Sequence, residues 1–326
     1  MASTVAAQPQ SEQPGVSTMI RRLRGGDEVA RLITLLFALS VLAITVLLVW
    51  ELWTGSEPSR AKSGFGFLTS KLWNPVTDEF GAYPFVYGTI VTSVLALIIA
   101  VPTGVGAAIY LSELAGSTWS DALTFLVELL AAVPSVIFGL LAMFTLVPLM
   151  RTTIGPGLKS VLGSLPLFSG PVYGVGYLTA SLVLSIMIFP YIISVSREAL
   201  LSVPREQREA ALALGATKWE STWQIVVPFA RLGILGSIFL AFARALGETM
   251  AVTLVIGNDP AIHASLFAPG YTISAVIANE FTEATGKIYP AALIELGLVL
   301  FVLTFILNGL ARLLILVTTQ KGSAKA

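Results

Sequence analysis

"EAALALGATKWESTWQIVVP", residues 209–228, is too polar to cross a membrane, yet apolar stretches flank it on both sides. It belongs to a connection, 197–228, longer than two neighbouring helices require. Local signals divide it. Ser202 is placed to cap a helix whose first turn tolerates Pro204, because an N–H there has no intrahelical partner to lose. Residues 205–214 are strong helix formers. Gly215 stands where a helix closes in a left-handed turn, a conformation open to a residue without Cβ. Thr217 and Glu220 spell a capping box that starts a second short helix, and Pro228 marks entry into the next apolar stretch. The spacing predicts two short helices joined at a glycine.

The chain around this connection has the composition of a membrane protein. Of 326 residues, 55% are hydrophobic and 12% charged, against about 25% charged in soluble domains. Six apolar segments approach the roughly 20 residues that cross a bilayer core. They are 31–53, 86–111, 122–150, 174–196, 229–257 and 290–318. A spanning barrel would show short alternating strands, so the fold class is an all-α integral membrane protein with six transmembrane helices. A polar tail (1–30) precedes them, and its first 20 residues are too small and polar to pack. The loop 54–85 holds "GFGFLTSKLWNPV", whose aromatics suit a membrane interface, and a short tail (319–326) ends the chain. The first apolar run is too long for a signal core, so no cleavable leader is expected.

Lysine and arginine set the orientation. With the N-terminus inside, the inner segments hold twelve and the outer loops six, which places both termini and the 197–228 connection in the cytoplasm. Formal net charge is zero, so no basic surface recommends nucleic acid. There is no cysteine and a single histidine, His263, so neither thiolate nor histidine-rich metal sites are expected. No stretch fits G-x-x-x-x-G-K-[ST]; Lys287 follows Gly286 but precedes Ile288. The chain carries no ATPase of its own and is not expected to be an enzyme.

A second stretch, "FARALGETMA" (242–251), resists its apolar surroundings. A charge at mid-membrane depth costs about 2.5–3.5 kcal/mol on insertion scales. Counted from Ala230, Arg244 lies 14 residues along its segment, or roughly 21 Å at the helical rise, near the bilayer centre. On one continuous helix Arg244 and Glu248 share a face and can pair. Two readings follow: an ion pair that fixes packing against a partner subunit, or a polar station in an anion path. In the second, the guanidinium meets anion oxygens two at a time, while Glu248 orients it and limits how tightly the anion is held. Of the other polar residues in the spans, Glu128 reads as interfacial packing and Glu295 as reaching outer water. His263 reads as solvated or touching an outside protein. Pro102 and Pro134 read as kinks, and Gly104 and Gly106 as close helix packing.

Residues 209–228 resemble the loop signature of the inner-membrane permeases of binding-protein-dependent ABC importers. That pattern is Glu-Ala-Ala, three residues, Gly, nine residues, Ile-x-Leu-Pro. Glu209, Ala210, Ala211, Gly215, Ile225 and Pro228 fall on it, with Val227 in place of leucine. The resemblance implies that these residues dock into a cleft of a separate ATPase subunit, Ala210 and Ala211 permitting close approach. "GFGFLTSKLWNPVTDEFGAYPFVYGTIVTS" (64–93), "LAAVPSVIFGL" (130–140), "RALGETMAVTLVIGN" (244–258) and "VIANEF" (276–281) look like the C-type permeases of phosphate uptake. That likeness implies the type I ABC importer permease fold, a bacterial cytoplasmic (inner) membrane location and import of inorganic phosphate. The implied partners are a second, A-type permease, a pair of ATPase subunits that hold ATP and magnesium, an extracytoplasmic phosphate-binding protein and membrane lipid. This chain would bind no cofactor. In that family the residues matching Arg244 and Glu248 are implicated in transport. A permease for another oxyanion, molybdate or sulfate, shares these signals. A self-contained secondary transporter or channel leaves 209–228 unexplained.

Overall fold

A computed structural model describes residues 27–323, with side chains for 28–313. The tail read at 1–20 lies outside the described residues. Six helices are long and apolar enough to cross a membrane: Glu28–Gly55, Tyr83–Leu114, Ser135–Leu162, Tyr177–Leu201, Lys218–Gly247 and Ile288–Leu313, here spans one to six. The described residues divide into two units, 27–54 and 55–323. Span one is a unit by itself, with exposed apolar side chains such as Leu32, Ile33, Val41 and Leu42 around its whole circumference. A helix apolar on every face suits lipid or a protein core, not water.

In the second unit the spans depart from the expected segments where proline and glycine intervene. The segment 122–150 is two helices. Ser117–Ala132 stops at Val133, which is extended (φ −68°, ψ 128°), and Pro134 opens Ser135–Leu141. The ring of a proline disfavours helical backbone in the residue before it. Pro134 therefore separates two helices and does not kink one. Beyond Leu141, two wide turns, Ala142–Leu146 and Met150–Ile154, carry span three on to Leu162.

Span five starts earlier than expected. Lys218–Ser221 runs through a wide turn, Thr222–Val226, directly into Val227–Gly247. The second short helix is thus the first turn of span five and not a separate rod. Pro228 has no N–H and would clash with the carbonyl of Gln224; widening the preceding turn relieves both problems.

Span four is the centre of the unit. Its Leu184, Ile188 and Ile192 are almost wholly buried among spans two and five. Gly104 of span two lets it approach: a Cβ there would stand 2.8 Å from Ile192 Cγ2. Gly106 faces open space, so only the first glycine of the expected pair serves packing. Span five is tied to span four by a buried 2.7 Å hydrogen bond between the hydroxyls of Ser196 and Ser237.

Smaller cores close the two ends. At the Tyr271 end, Phe67, Phe80, Phe85, Tyr271, Tyr289 and Leu293 pack together. A two-residue antiparallel hairpin, Trp73–Asn74 with Glu79–Phe80, rides on them. The Trp73 indole N–H donates to Glu280 Oε2 at 2.8 Å, and the Tyr289 hydroxyl donates to the same oxygen at 2.6 Å. The aromatics of "GFGFLTSKLWNPV" therefore divide: Phe65 is 91% exposed, while Phe67 is fully buried and holds the segment to the protein. At the Gly215 end, Ile109, Leu200, Val203, Val226 and Ile234 form a third cluster.

Candidate substrate site and partner surface

The fifth apolar segment breaks in its middle. Helix Val227–Gly247 stops at Gly247, Glu248 is extended (φ −68°, ψ 128°), and a new helix, Met250–Ile256, follows Thr249. It closes on Gly257 at φ +97°, a left-handed turn that glycine enters without strain. A break between two helices within an apolar segment frees backbone groups that protein or a water-lined cavity must satisfy. Here Ser274 Oγ donates to the Glu248 carbonyl at 2.7 Å, and Glu248 Oε1 accepts from the Ala251 N–H at 3.3 Å.

This break overturns the expected Arg244–Glu248 ion pair. Residues four apart meet only on a continuous helix, and the helix ends between them. Arg244 occupies the last turn of the first helix, where a cation opposes the negative end of the helix dipole. Glu248 caps the start of the second. Each charge serves its own helix end, and no ion pair joins them among the described residues.

Span four orients Arg244 instead. The guanidinium carbon lies 4.6 Å from the centroid of the Tyr191 ring. Such cation–π contacts contribute about 0.5–2 kcal/mol. The ring holds the guanidinium by its face, and no hydrogen bond or ion pair occupies its in-plane N–H groups among the described residues. Both charges line an open cavity of about 460 Å³, together with Tyr191, Leu240, Ala243 and Gly247. A planar fork of donors free on one edge is a bidentate receptor for an oxyanion. Tyr191 carried no signal in the sequence beyond its place near the middle of span four.

The remaining polar candidates scatter. Glu128 is exposed on helix Ser117–Ala132. Glu295 does not reach water: it is 6% exposed inside span six, and its Oε2 has no hydrogen-bond partner. His263 Nε2 lies 3.6 Å from Asp259 Oδ2, half-exposed at the edge of a separate cavity. Among the described residues no group of three or more His, Cys, Asp or Glu side chains could hold a metal ion.

The connection 202–226 forms a knuckle. Its first helix, Arg205–Ala213, starts at Pro204 and not at Ser202. Ser202 Oγ donates back to the Ala199 carbonyl and so closes span four. The helix ends in a doubly bonded turn: the Gly215 N–H donates to Leu212 O at 3.0 Å and the Ala216 N–H to Ala211 O at 3.1 Å. Gly215 sits at φ +89° to make both bonds. The capping box is present, with the Glu220 N–H on Thr217 Oγ1 at 3.2 Å and the Thr217 N–H on Glu220 Oε2 at 2.8 Å.

Glu209, Ala210 and Gly215 are exposed on this knuckle, Ile225 is half-buried, and Pro228 is exposed just beyond it in the helix Val227–Gly247. Ala211 is 5% exposed and packs into its own chain, so of the two alanines only Ala210 lies open to a partner. Leu214 is 90% exposed, and Leu212, Trp219 and Trp223 are exposed beside it, the two indoles edge to face at 5.5 Å. Four large apolar side chains on one short knuckle form the kind of patch that marks a protein contact. Two tryptophans four apart at a helix start were the signal in the sequence for it.

Six spans, the fifth ending at a break beside a charged cavity, and an apolar knuckle at one end are the features of a membrane transport subunit. The family of binding-protein-dependent transport system inner membrane components matches residues 100–315. The phosphate transport system permease protein PstC of Mesorhizobium japonicum is 45% identical, covering 91% of this chain and 92% of its own. That of Xylella fastidiosa (strain Temecula1) is 44% identical over 89% and 90%, and the probable PstC of Methanocaldococcus jannaschii is 35% identical over 88% and 92%. The chain belongs to the PstC family of ABC importer permeases, multi-pass inner-membrane subunits that are not enzymes. Two solved structures share its fold. A bacterial ABC transporter that imports the acidic polysaccharide alginate has a TM-score of 0.56 at 18% identity, covering 89% of this chain and 98% of its own. The MetNI methionine transporter has 0.54 at 14%, over 75% and 98%.

Proposed function

We propose that this chain is the C-type permease of an ATP-driven importer of inorganic phosphate. It would pair with a related A-type permease, two ATPase subunits that bind ATP and magnesium, and an extracytoplasmic phosphate-binding protein. The observation that carries the reading is Arg244, held by Tyr191 with its donor edge free, in a cavity beside a break in span five. The names of its relatives supply the anion. Glu248 lies in the same cavity and lowers its net positive charge, so that a phosphate can leave as well as enter. The knuckle of Glu209, Ala210, Gly215 and Ile225, with its exposed tryptophans and the neighbouring Pro228, docks into the ATPase. Ala211 supports it from behind.

The test is uptake of labelled phosphate into proteoliposomes holding the whole complex. Uptake should need both ATP and the phosphate-loaded binding protein and should be indifferent to excess sulfate or molybdate. Competition by either anion would point to a different oxyanion, and uptake without ATP would point to a secondary transporter.

The reading also places both termini and the Gly215 end in the cytoplasm. Ser169 and Ser202 are exposed at opposite ends of span four, and the native chain has no cysteine to give background. Ser169→Cys should react with an impermeant thiol reagent outside intact cells stripped of their outer layer. Ser202→Cys should react only after permeabilisation. Labelling of Ser202→Cys from outside would invert the topology.

A further inference from the structure

The polar contacts at the Gly215 end converge on one side chain, Arg208. It lies on helix Arg205–Ala213, the first half of the knuckle, and meets Glu113 in the wide last turn of span two, Tyr110–Leu114. The contact is a fork: Arg208 Nη2 donates to Glu113 Oε1 at 2.9 Å and Nε to Oε2 at 3.2 Å. The same guanidinium donates to the carbonyl of Leu200 at 2.7 Å and to that of Val203. Leu200 belongs to the last turn of span four, and its carbonyl also accepts a longer bond, 3.3 Å, from the Val203 N–H. One side chain thus ties three elements: the first knuckle helix and the ends of spans two and four. It is well covered, with Arg208 20% and Glu113 10% exposed, so water competes weakly for its donors.

We propose that Arg208 and Glu113 are positioning residues, a clamp that makes the first knuckle helix and the ends of spans two and four move as one body. The inference rests on the reading of 209–228 as the ATPase-docking surface. A helix carries an axial displacement along its length as a rigid element. Nine residues along span four from Leu200 stands Tyr191, the residue that holds Arg244 in the cavity. At a rise of 1.5 Å per residue that is about 14 Å. Spans two and four pack closely where Gly104 admits Ile192, so a displacement of one bears on the other. Displacement of the knuckle by the ATPase reaches the substrate cavity through this clamp. A merely stabilising ion pair would instead set how much complex survives, not what each ATP accomplishes.

The measurement that separates these roles is phosphate transported per ATP hydrolysed by purified, reconstituted complex. Glu113→Ala removes the link to span two but leaves Arg208 on its two carbonyls. We expect wild-type yields with the ATPase bound and continued hydrolysis. Phosphate moved per ATP should fall roughly tenfold, the scale of one lost charge-assisted contact. Glu113→Asp, which keeps the charge on a shorter arm, should regain part of it. If Glu113→Ala fails to accumulate, Glu113→Gln keeps the shape without the charge and is read the same way. A phosphate-to-ATP ratio within about twofold of wild type, or a fall in uptake explained by lost complex alone, overturns the clamp. Gly215→Arg serves as the parallel arm. If it keeps its ATPase, the docking reading itself fails; if it loses its ATPase while Glu113→Ala couples normally, the clamp alone fails.

Discussion

Phosphate uptake per assembled complex should fall by roughly two orders of magnitude in Arg244→Leu, the loss expected when two charge-assisted contacts to an anion disappear. The complex itself should form, because Arg244 is exposed on the cavity wall and no hydrogen bond among the described residues depends on it. Arg244→Lys should recover only part of the loss, since a compact ammonium neither lies flat on Tyr191 nor presents two parallel donors. Glu248→Leu acts differently. It removes the acceptor for the Ala251 N–H and should cost about 1 kcal/mol of stability, the usual value of a helix cap. The double change is the decisive experiment. Were the two charges a buried pair, Arg244→Leu with Glu248→Leu would be milder than either single change, because neither charge is left stranded. With each charge on its own helix end, the double change should be at least as costly to stability as the worse single change. Uptake near wild type in the double variant would rule out a transport role for Arg244.

Gly215→Arg should abolish ATPase association and uptake while leaving all six spans in the membrane. Two effects combine. Gly215 sits at φ +89°, and a side chain in left-handed backbone costs roughly 1–2 kcal/mol. The turn itself is open, with nothing within 4 Å of where a Cβ would stand, so the arginine adds a charge to the knuckle that exposes Leu212, Leu214, Trp219 and Trp223. A charge there opposes burial of that apolar patch by any partner. Gly215→Ala separates the effects, since it carries the backbone strain without the bulk or charge. It should retain the ATPase and most of its uptake. If Gly215→Arg transports normally, the knuckle does not dock. If Gly215→Ala fails as completely as Gly215→Arg, backbone geometry and not the surface is the essential feature.

Caps whose partners lie within one turn and face no competing helix end follow from the sequence alone. Thr217 and Glu220 are three apart, and their capping box formed. Gly215 terminates its helix because Ala211, Leu212 and Ala216 complete the turn within six residues. The break in span five was also signalled locally, but weakly: Gly247, Glu248 and Thr249 together form a stop followed by a cap. Hydropathy averaged over the segment hid it, because Met250–Ile256 resumes the apolar run. Ser202 failed for a similar reason. Two helix ends lie within three residues of it, and its hydroxyl took the nearer carbonyl, Ala199.

Composition and spacing by themselves determined that this chain crosses a membrane six times, carries no ATPase motif and presents a two-part knuckle between its fourth and fifth spans. Those properties follow from transfer free energies and from caps that close within one or two turns. Folding decided the rest. Arg244 faces Tyr191, 53 residues earlier, and not Glu248 beside it; Arg208 grips Glu113 across 95 residues. Which charge meets which partner depends on where helices stop and how closely two spans pack. A single side chain such as Ile192 over Gly104 sets that approach. No periodicity along one segment records it, because the contact exists only once both helices are in place.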